Sequence, residues 1–142
     1  MVKTKVLYHI TNSERAKNIL KVGFNDNLAF SNESNDLIRA SLCPERFIFK
    51  WARILCSEND WPKIAVLQVL FPVSEYKKLC KRGDKMRKFG DALVWDPKEP
   101  YLRDMGDEVV LQFKKGDKVT IDVKLFWKVE LDREMLLKLR DW

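Results

Sequence analysis

Apolar and polar positions alternate over Lys5–Ile10, with Val6, Tyr8 and Ile10 on one side and Leu7 and His9 on the other. A period of two predicts a strand with two different faces. The spacing then lengthens to helical intervals at Ala16, Ile19 and Leu20. Thr11 followed by Glu14 has the form of a capping box, which predicts that the helix starts there. Gly23 suits the left-handed residue that ends it, from which Phe24 can fold back onto Ile19. Leu28–Ser31 reads as a short strand. Ser34 or Asn35 reads as the cap of a second helix reaching about Leu42, with Leu37, Ile38 and Ser41 turned inward.

Pro44–Cys56 predicts a helix, with Pro44 in its first turn and Phe47, Trp51, Ile54 and Leu55 as its apolar stripe. Asn59-Asp60-Trp61-Pro62 is a turn. Ile64–Phe71 is the strongest strand signal, apolar on both faces and therefore central. Ser74–Lys81 predicts a short helix ending near Gly83, and Arg82–Lys88 a basic, mobile segment. Phe89–Trp95 has room for a short strand, and Asp96–Gly106, with its two prolines, reads as mostly loop. Glu108–Phe113 and Lys118–Lys124 read as strands joined at Lys115-Gly116-Asp117, the second extending toward Val129. Asp132 is placed to cap a last helix through Arg140. Helices early and strands late predict an α+β fold, a single domain over residues 1–142 with no repeat or linker.

Composition narrows the class. A chain of 142 residues with 46% hydrophobic and 34% charged residues can bury a real core under a charged surface. No apolar run is long enough for a membrane span, and the first residues lack a signal-peptide core, so a cytoplasmic protein without membrane contact is expected. Cys43, Cys56 and Cys80 show neither paired spacing nor a neighbouring histidine cluster, which argues against disulfides and against a metal site. The net charge of +6 favours an anionic partner.

His9 is the only histidine, and a lone strand histidine is ordinarily structural. Its surroundings give it more meaning. Tyr8-His9-Ile10-Thr11, with Ile19-Leu20 and Gly23-Phe24, resembles the first strand and helix of the His-Tyr-Glu branch of the ADP-ribosyltransferase superfamily, whose members cleave NAD and transfer ADP-ribose. It is especially similar to the opening of toxin-type enzymes that modify DNA bases. Gly106-Asp107-Glu108-Val109-Val110-Leu111 resembles the strand that carries that family's catalytic glutamate, directly after a substrate-recognising loop. Leu28-Ala29-Phe30-Ser31 resembles its middle motif. The resemblance runs through most of the chain, and the first two stretches are its specific parts.

The resemblance implies an ADP-ribosyltransferase-like split β-sheet core with short flanking helices and NAD as substrate. Glu108 would be the catalytic carboxylate beneath the positively charged ribose of the transition state. His9 and Thr11 would hold the adenosine ribose. Phe30 would stack on the nicotinamide, with Tyr8 or Phe24 behind it. Arg39 would face the pyrophosphate, ahead of Arg46 and Arg53. No metal is implied. Two departures stand out. Phe30 takes the place of a tyrosine, and Gly106 stands two residues before Glu108, where enzymes that modify protein arginines carry an acid or amide. The chain is also short for the DNA-modifying toxins.

The acceptor implied is a nucleic acid or a protein, with an inhibitor partner in keeping with toxin-like enzymes. The basic Arg82–Lys88 segment tilts toward nucleic acid, with Trp95 and Tyr101 placed to stack an unpaired base. Two alternatives stay open: a catalytically inactive module of the same fold that binds nucleic acid or a protein, and an NAD-dependent RNA 2′-phosphotransferase.

Overall fold

A computed structural model describes residues 3–23, 37–88, 100–114 and 123–138, with side chains at all of these except 37–39, 85–88 and 114. The elements are β1 (Thr4–Asn12), α1 (Ser13–Val22), β2 (Leu37–Cys43), α2 (Ile48–Glu58), β3 (Lys63–Pro72), α3 (Val73–Lys88), β4 (Tyr101–Asp104), β5 (Val109–Lys114), β6 (Lys124–Asp132) and α4 (Arg133–Lys138). A single 3-10 turn, Glu45–Phe47, leads into α2. The strands form one antiparallel sheet in the order β4-β5-β2-β1-β3-β6, so the domain is a mixed α/β unit.

The alternation in β1 sorts its residues between two cores. Leu7 joins Leu42, Leu67, Val69 and Phe71 on the face packed by α1 and α3, through Ala16, Ile19 and Leu79. Tyr8 and Ile10 join Cys43, Ile64 and Val66 on the face packed by α2 and α4, through Ile48, Ala52, Cys56 and Leu136. Strand β3 lies between β1 and β6 and is apolar on both sides, as its sequence predicts.

The sheet is not joined evenly. β1 pairs with β3 at every position from Thr4↔Pro72 to Asn12↔Ile64. It pairs with β2 only at Tyr8↔Cys43 and His9↔Leu42. One sheet therefore consists of two three-stranded halves, β4-β5-β2 and β1-β3-β6, meeting at a narrow seam. β6 also carries a bulge: Val66 faces Val129 and Leu67 faces Trp127, so Lys128 is an extra residue.

Several local expectations hold and others are corrected. Gly23 ends α1 with φ 78° and donates its N–H to the Ile19 carbonyl at 2.7 Å. The cap at the other end is Asn12, whose side chain accepts from the Arg15 N–H at 2.8 Å; Thr11 is still in the strand. Residues 37–43 form a strand and not the end of a helix, because β5 supplies a ladder from Leu37↔Lys114 to Leu42↔Val109. Helix α3 runs through Gly83 and takes in the basic Arg82–Lys88 segment. A Cβ at Gly83 would lie 1.9 Å from the Leu102 carbonyl oxygen, so the glycine there allows the helix to touch β4 and does not stop it. That same β4 occupies part of the stretch read as loop. The expected hairpin after β5 falls at residues 115–122, outside the described residues, and β6 pairs with β3 on the far side of the sheet. Arg133, at the start of α4, donates to the carbonyls of Cys56 and Asn59, each at 2.6 Å, and so ties α4 to the end of α2. The strand and turn signals at Leu28–Ser31 and Phe89–Trp95, and the contact of Phe24 with Ile19, lie outside the described residues.

Candidate active site at the seam

The seam gathers His9, Thr11, Ser41 and Glu108 where β1 meets β2. His9 is 6% exposed on β1, opposite Leu42 and Leu67. Its Nδ1 lies 2.8 Å from the Ser41 carbonyl oxygen, so Nδ1 carries the proton and donates. This bond comes just where the β1–β2 ladder stops, and the imidazole takes the place of the next backbone bond. Burial drives its pKa from 6.5 down to about 4, outweighing the opposite pull of the Ser41 bond. The ring is therefore neutral at physiological pH.

Ser41 also reaches the third strand. Its Oγ donates to Glu108 Oε2 at 2.5 Å. Glu108 is half-buried at the mouth of β5, one residue before the Asp104↔Val109 pair that closes the β4–β5 hairpin. The turn itself is well held. The Met105 N–H donates to the Glu108 carbonyl at 2.8 Å, the Gly106 N–H donates to Asp104 Oδ1 at 2.9 Å, and Gly106 has φ 90°. From α2, Trp51 Nε1 donates to the Asp107 carbonyl at 2.8 Å, and Lys50 Nζ pairs with Asp107 Oδ2 at 3.1 Å. The carboxylate thus stands on a turn clamped from the helix side. Cys43 lies near it: burial and the Glu108 charge push the thiol up to about 12, so it stays protonated.

On the α1/α3 side of the sheet, where β1 and the chain leaving β2 part, lies an open cleft of about 710 Å³, whose lining includes none of His9, Ser41 and Glu108. Lys5 and Leu7 form one bank, Pro44, Glu45 and Arg46 the other, and the Asp104–Val109 hairpin closes the end. Asp104 is fixed on that hairpin by Tyr76, whose Oη donates to Oδ2 at 2.7 Å. The volume suits a small organic ligand, and the lining offers both cations and carboxylates.

The expected site residues are distributed as follows. His9 and Glu108 come together through Ser41, a residue whose role sequence reasoning missed. The register sets His9 and Thr11 on the α1/α3 side of the sheet, and the side chains of Ser41 and Glu108 on the α2/α4 side. The link therefore passes through the sheet. Thr11 is 2% exposed and Tyr8 4%. The Tyr8 hydroxyl accepts from Gln68 Nε2 at 3.5 Å, and its ring lies under the Lys128 ammonium at 5.6 Å. Arg39 sits on strand β2 opposite Gln112, not on a helix, and its side chain lies outside the described residues, as does all of Phe30. Arg46 lines the cleft instead. Tyr101 is 2% exposed and packed in the sheet, which removes it as a stacking platform; Trp95 lies outside the described residues. Among the described residues no group of three or more His, Cys, Asp or Glu is arranged to hold a metal ion, and no helix is long and apolar enough to cross a membrane.

Fold and site together define a small mixed α/β domain with a carboxylate-bearing hairpin beside a cleft at a divided sheet. In comparisons with known proteins, no family model matches the chain, and neither a curated protein nor a solved structure matches it.

Proposed function

We propose that the protein is an NAD-dependent ADP-ribosyltransferase acting at the seam, with a nucleic acid or a protein as acceptor. The observation that carries this reading is the bridge from His9 through Ser41 to Glu108. His9 and Glu108 belong to the two specific stretches of resemblance, lie 99 residues apart in numbering, and meet at one serine. The two-position join between the sheet halves supports the split-sheet architecture that the resemblance implies.

In this reading the cleft takes the adenylate and pyrophosphate end of NAD, and the nicotinamide ribose reaches past the Asp104–Val109 hairpin to Glu108 on the other side of the sheet. Lys5 and Arg46 are the cations available to the pyrophosphate, with Glu45 and Asp104 as acceptors for ribose hydroxyls. The bond from ribose C1′ to the nicotinamide nitrogen breaks, and nicotinamide leaves with the electron pair. The acceptor then bonds to C1′ and gives its proton to Glu108 or to water. Glu108 stabilises the cationic sugar, and Ser41 aims the carboxylate. His9 keeps the seam in register. Direct contact of His9 or Thr11 with NAD requires the seam to open, and its short join is the span that would do so. Glu108→Gln should lower nicotinamide release and label transfer from NAD by at least about a hundredfold, the scale of losing one transition-state partner, with NAD binding retained. A variant as active as the wild type would end this assignment.

The burial of Tyr8, His9 and Thr11 favours a second reading, a non-catalytic module of the same architecture. It is marked by NAD binding, or nucleic-acid binding, without nicotinamide release.

A further inference from the structure

The edge strand β6 is unusual in what it shows to solvent. Phe126 is 48% exposed, and Lys124 and Lys128 on either side of it are exposed too. The bulge decides which side they occupy. Because Lys128 is an extra residue, Phe126 falls opposite Gln68 and Lys124 opposite Leu70, on the α2/α4 side of the sheet. Lys128 reaches the same side, since its ammonium lies over the Tyr8 ring. Val6, 37% exposed and opposite Leu70, continues this open surface. The two acids of β6 stand on the other side. Glu130 lies opposite Ala65, where Ser13 Oγ donates to it at 2.8 Å and Lys63 pairs with it at 3.6 Å, and Asp132 lies opposite Lys63. No carboxylate of β1, β3 or β6 shares the face of Phe126.

We propose that the Lys124-Phe126-Lys128 face of β6 is a binding surface for single-stranded nucleic acid, with an unpaired base stacked on Phe126 and the two lysines on the flanking phosphates. An exposed ring between two cations on a flat sheet face matches the two things a single strand offers, a base plane and a charged backbone. In a duplex the base planes are already covered, so the strand must be unpaired. The surface also lies near the seam, although Tyr8 and Cys43 between the two are buried beneath α2. Cys43, Tyr8, Gln68 and Phe126 lie in one row across β2, β1, β3 and β6, and Cys43 feels the charge of Glu108. Three strand spacings, about 14 Å, separate the ends of that row. A strand stacked on Phe126 can therefore present a different nucleotide to Glu108. The biological purpose rests on the transfer reading with a nucleic-acid acceptor, whereas the binding itself does not.

The test is anisotropy of a fluorescein-labelled oligothymidylate and oligouridylate of about 16 nucleotides, the upper site size of one small binding fold. Phe126→Ala should weaken binding by roughly 5- to 100-fold, the range of one lost base stack, and Phe126→Trp should restore it. Lys124→Ala with Lys128→Ala should flatten the salt dependence by roughly one to two units of log–log slope. Trp127→Ala is the control, because Trp127 is 39% exposed on the opposite side, facing Leu67; it should bind as wild type. Thermal melting of each variant excludes unfolding as the cause of a loss. No binding by the wild type, equal binding by Phe126→Ala, equal loss in Trp127→Ala, or a wild-type dimer dispersed by Phe126→Ala would each overturn the proposal. The last would mean that β6 pairs with a second copy of the chain. Strand binding that needs Phe126, in a protein that releases no nicotinamide, would leave this surface standing and remove the transfer reading alone.

Discussion

Strand β1 has two neighbours and is held by them very differently. Toward β3 it is laddered along its whole length, and the buried pairs include Leu7 with Val69 and Ile10 with Val66. Toward β2 it has two paired positions, and at the edge of that pairing stand His9, Thr11, Ser41 and Glu108. The first junction is made by periodicity and burial. The second is made by specific hydrogen bonds between residues far apart in the chain. Where a ladder stops, backbone groups need other partners; here a side chain supplies one, and the polar chemistry follows from that need. The long ladder joins apolar faces, and the short one gathers the polar groups.

This contrast can be broken from either side. Phe71→Ala removes a fully buried ring from β3, one that also meets Tyr76 edge-on with 5.7 Å between centroids. The loss should be about 3–5 kcal/mol of unfolding free energy, read by chemical denaturation. A loss below about 1 kcal/mol would mean that the ladder half is not the stabilising one.

A smaller effect is expected at the seam, and only in acid. The folded pKa of His9 is about 4 against an ordinary 6.5, with burial as the cause. Between those values the unfolded chain binds a proton that the folded chain refuses, so stability falls as the pH drops from 6.5 toward 4. The full loss is roughly 3 kcal/mol, already complete below pH 4 and absent above 6.5. His9→Gln should flatten this part of the profile in melting experiments across that range. An unchanged slope in the variant would place the titration elsewhere.

The smallest effect should come from Ser41→Ala. It removes the donor to half-buried Glu108 but leaves the carbonyl that His9 uses. Stability should drop by only about 1 kcal/mol. If the transfer reading holds, turnover should fall more than that, with NAD binding little changed. A turnover identical to the wild type would make the Ser41–Glu108 bond incidental to catalysis.

Much of the ladder half was legible in the sequence, and much of the seam was not. The alternation at Lys5–Ile10 and the apolar run Ile64–Phe71 each bury against whatever apolar surface is available, so their patterns suffice. The helix after Pro44 was legible too, but it buries Ile48, Ala52 and Cys56, and the expected stripe of Phe47, Trp51, Ile54 and Leu55 is only half-buried. Residues 37–43 read as helix from their local cap signals and became a strand because β5, about seventy positions onward, offered a complete ladder. That one change set Ser41 between His9 and Glu108. The helix expected to end near Gly83 continues to Lys88, because the missing side chain of Gly83 serves the contact with Leu102 and does not stop the helix. The mouth of β5 was marked by its own residues, Gly106 to Glu108, though not its partner. The side of the sheet on which Phe126 emerges was set by the Lys128 bulge, which only the register with β3 reveals.

The sequence by itself determined the elements with strong periodicity, the end of α1 at Gly23 and the identities of His9 and Glu108 as chemically distinctive groups. Only the tertiary structure decided that they meet through Ser41, that Tyr8 and Tyr101 are closed to solvent, and that lysines and acids of β6 part to opposite faces. The physical reason is common to all three. Periodicity reports a residue's own preference for burial, whereas pairing, register and closure depend on which distant strand arrives beside it.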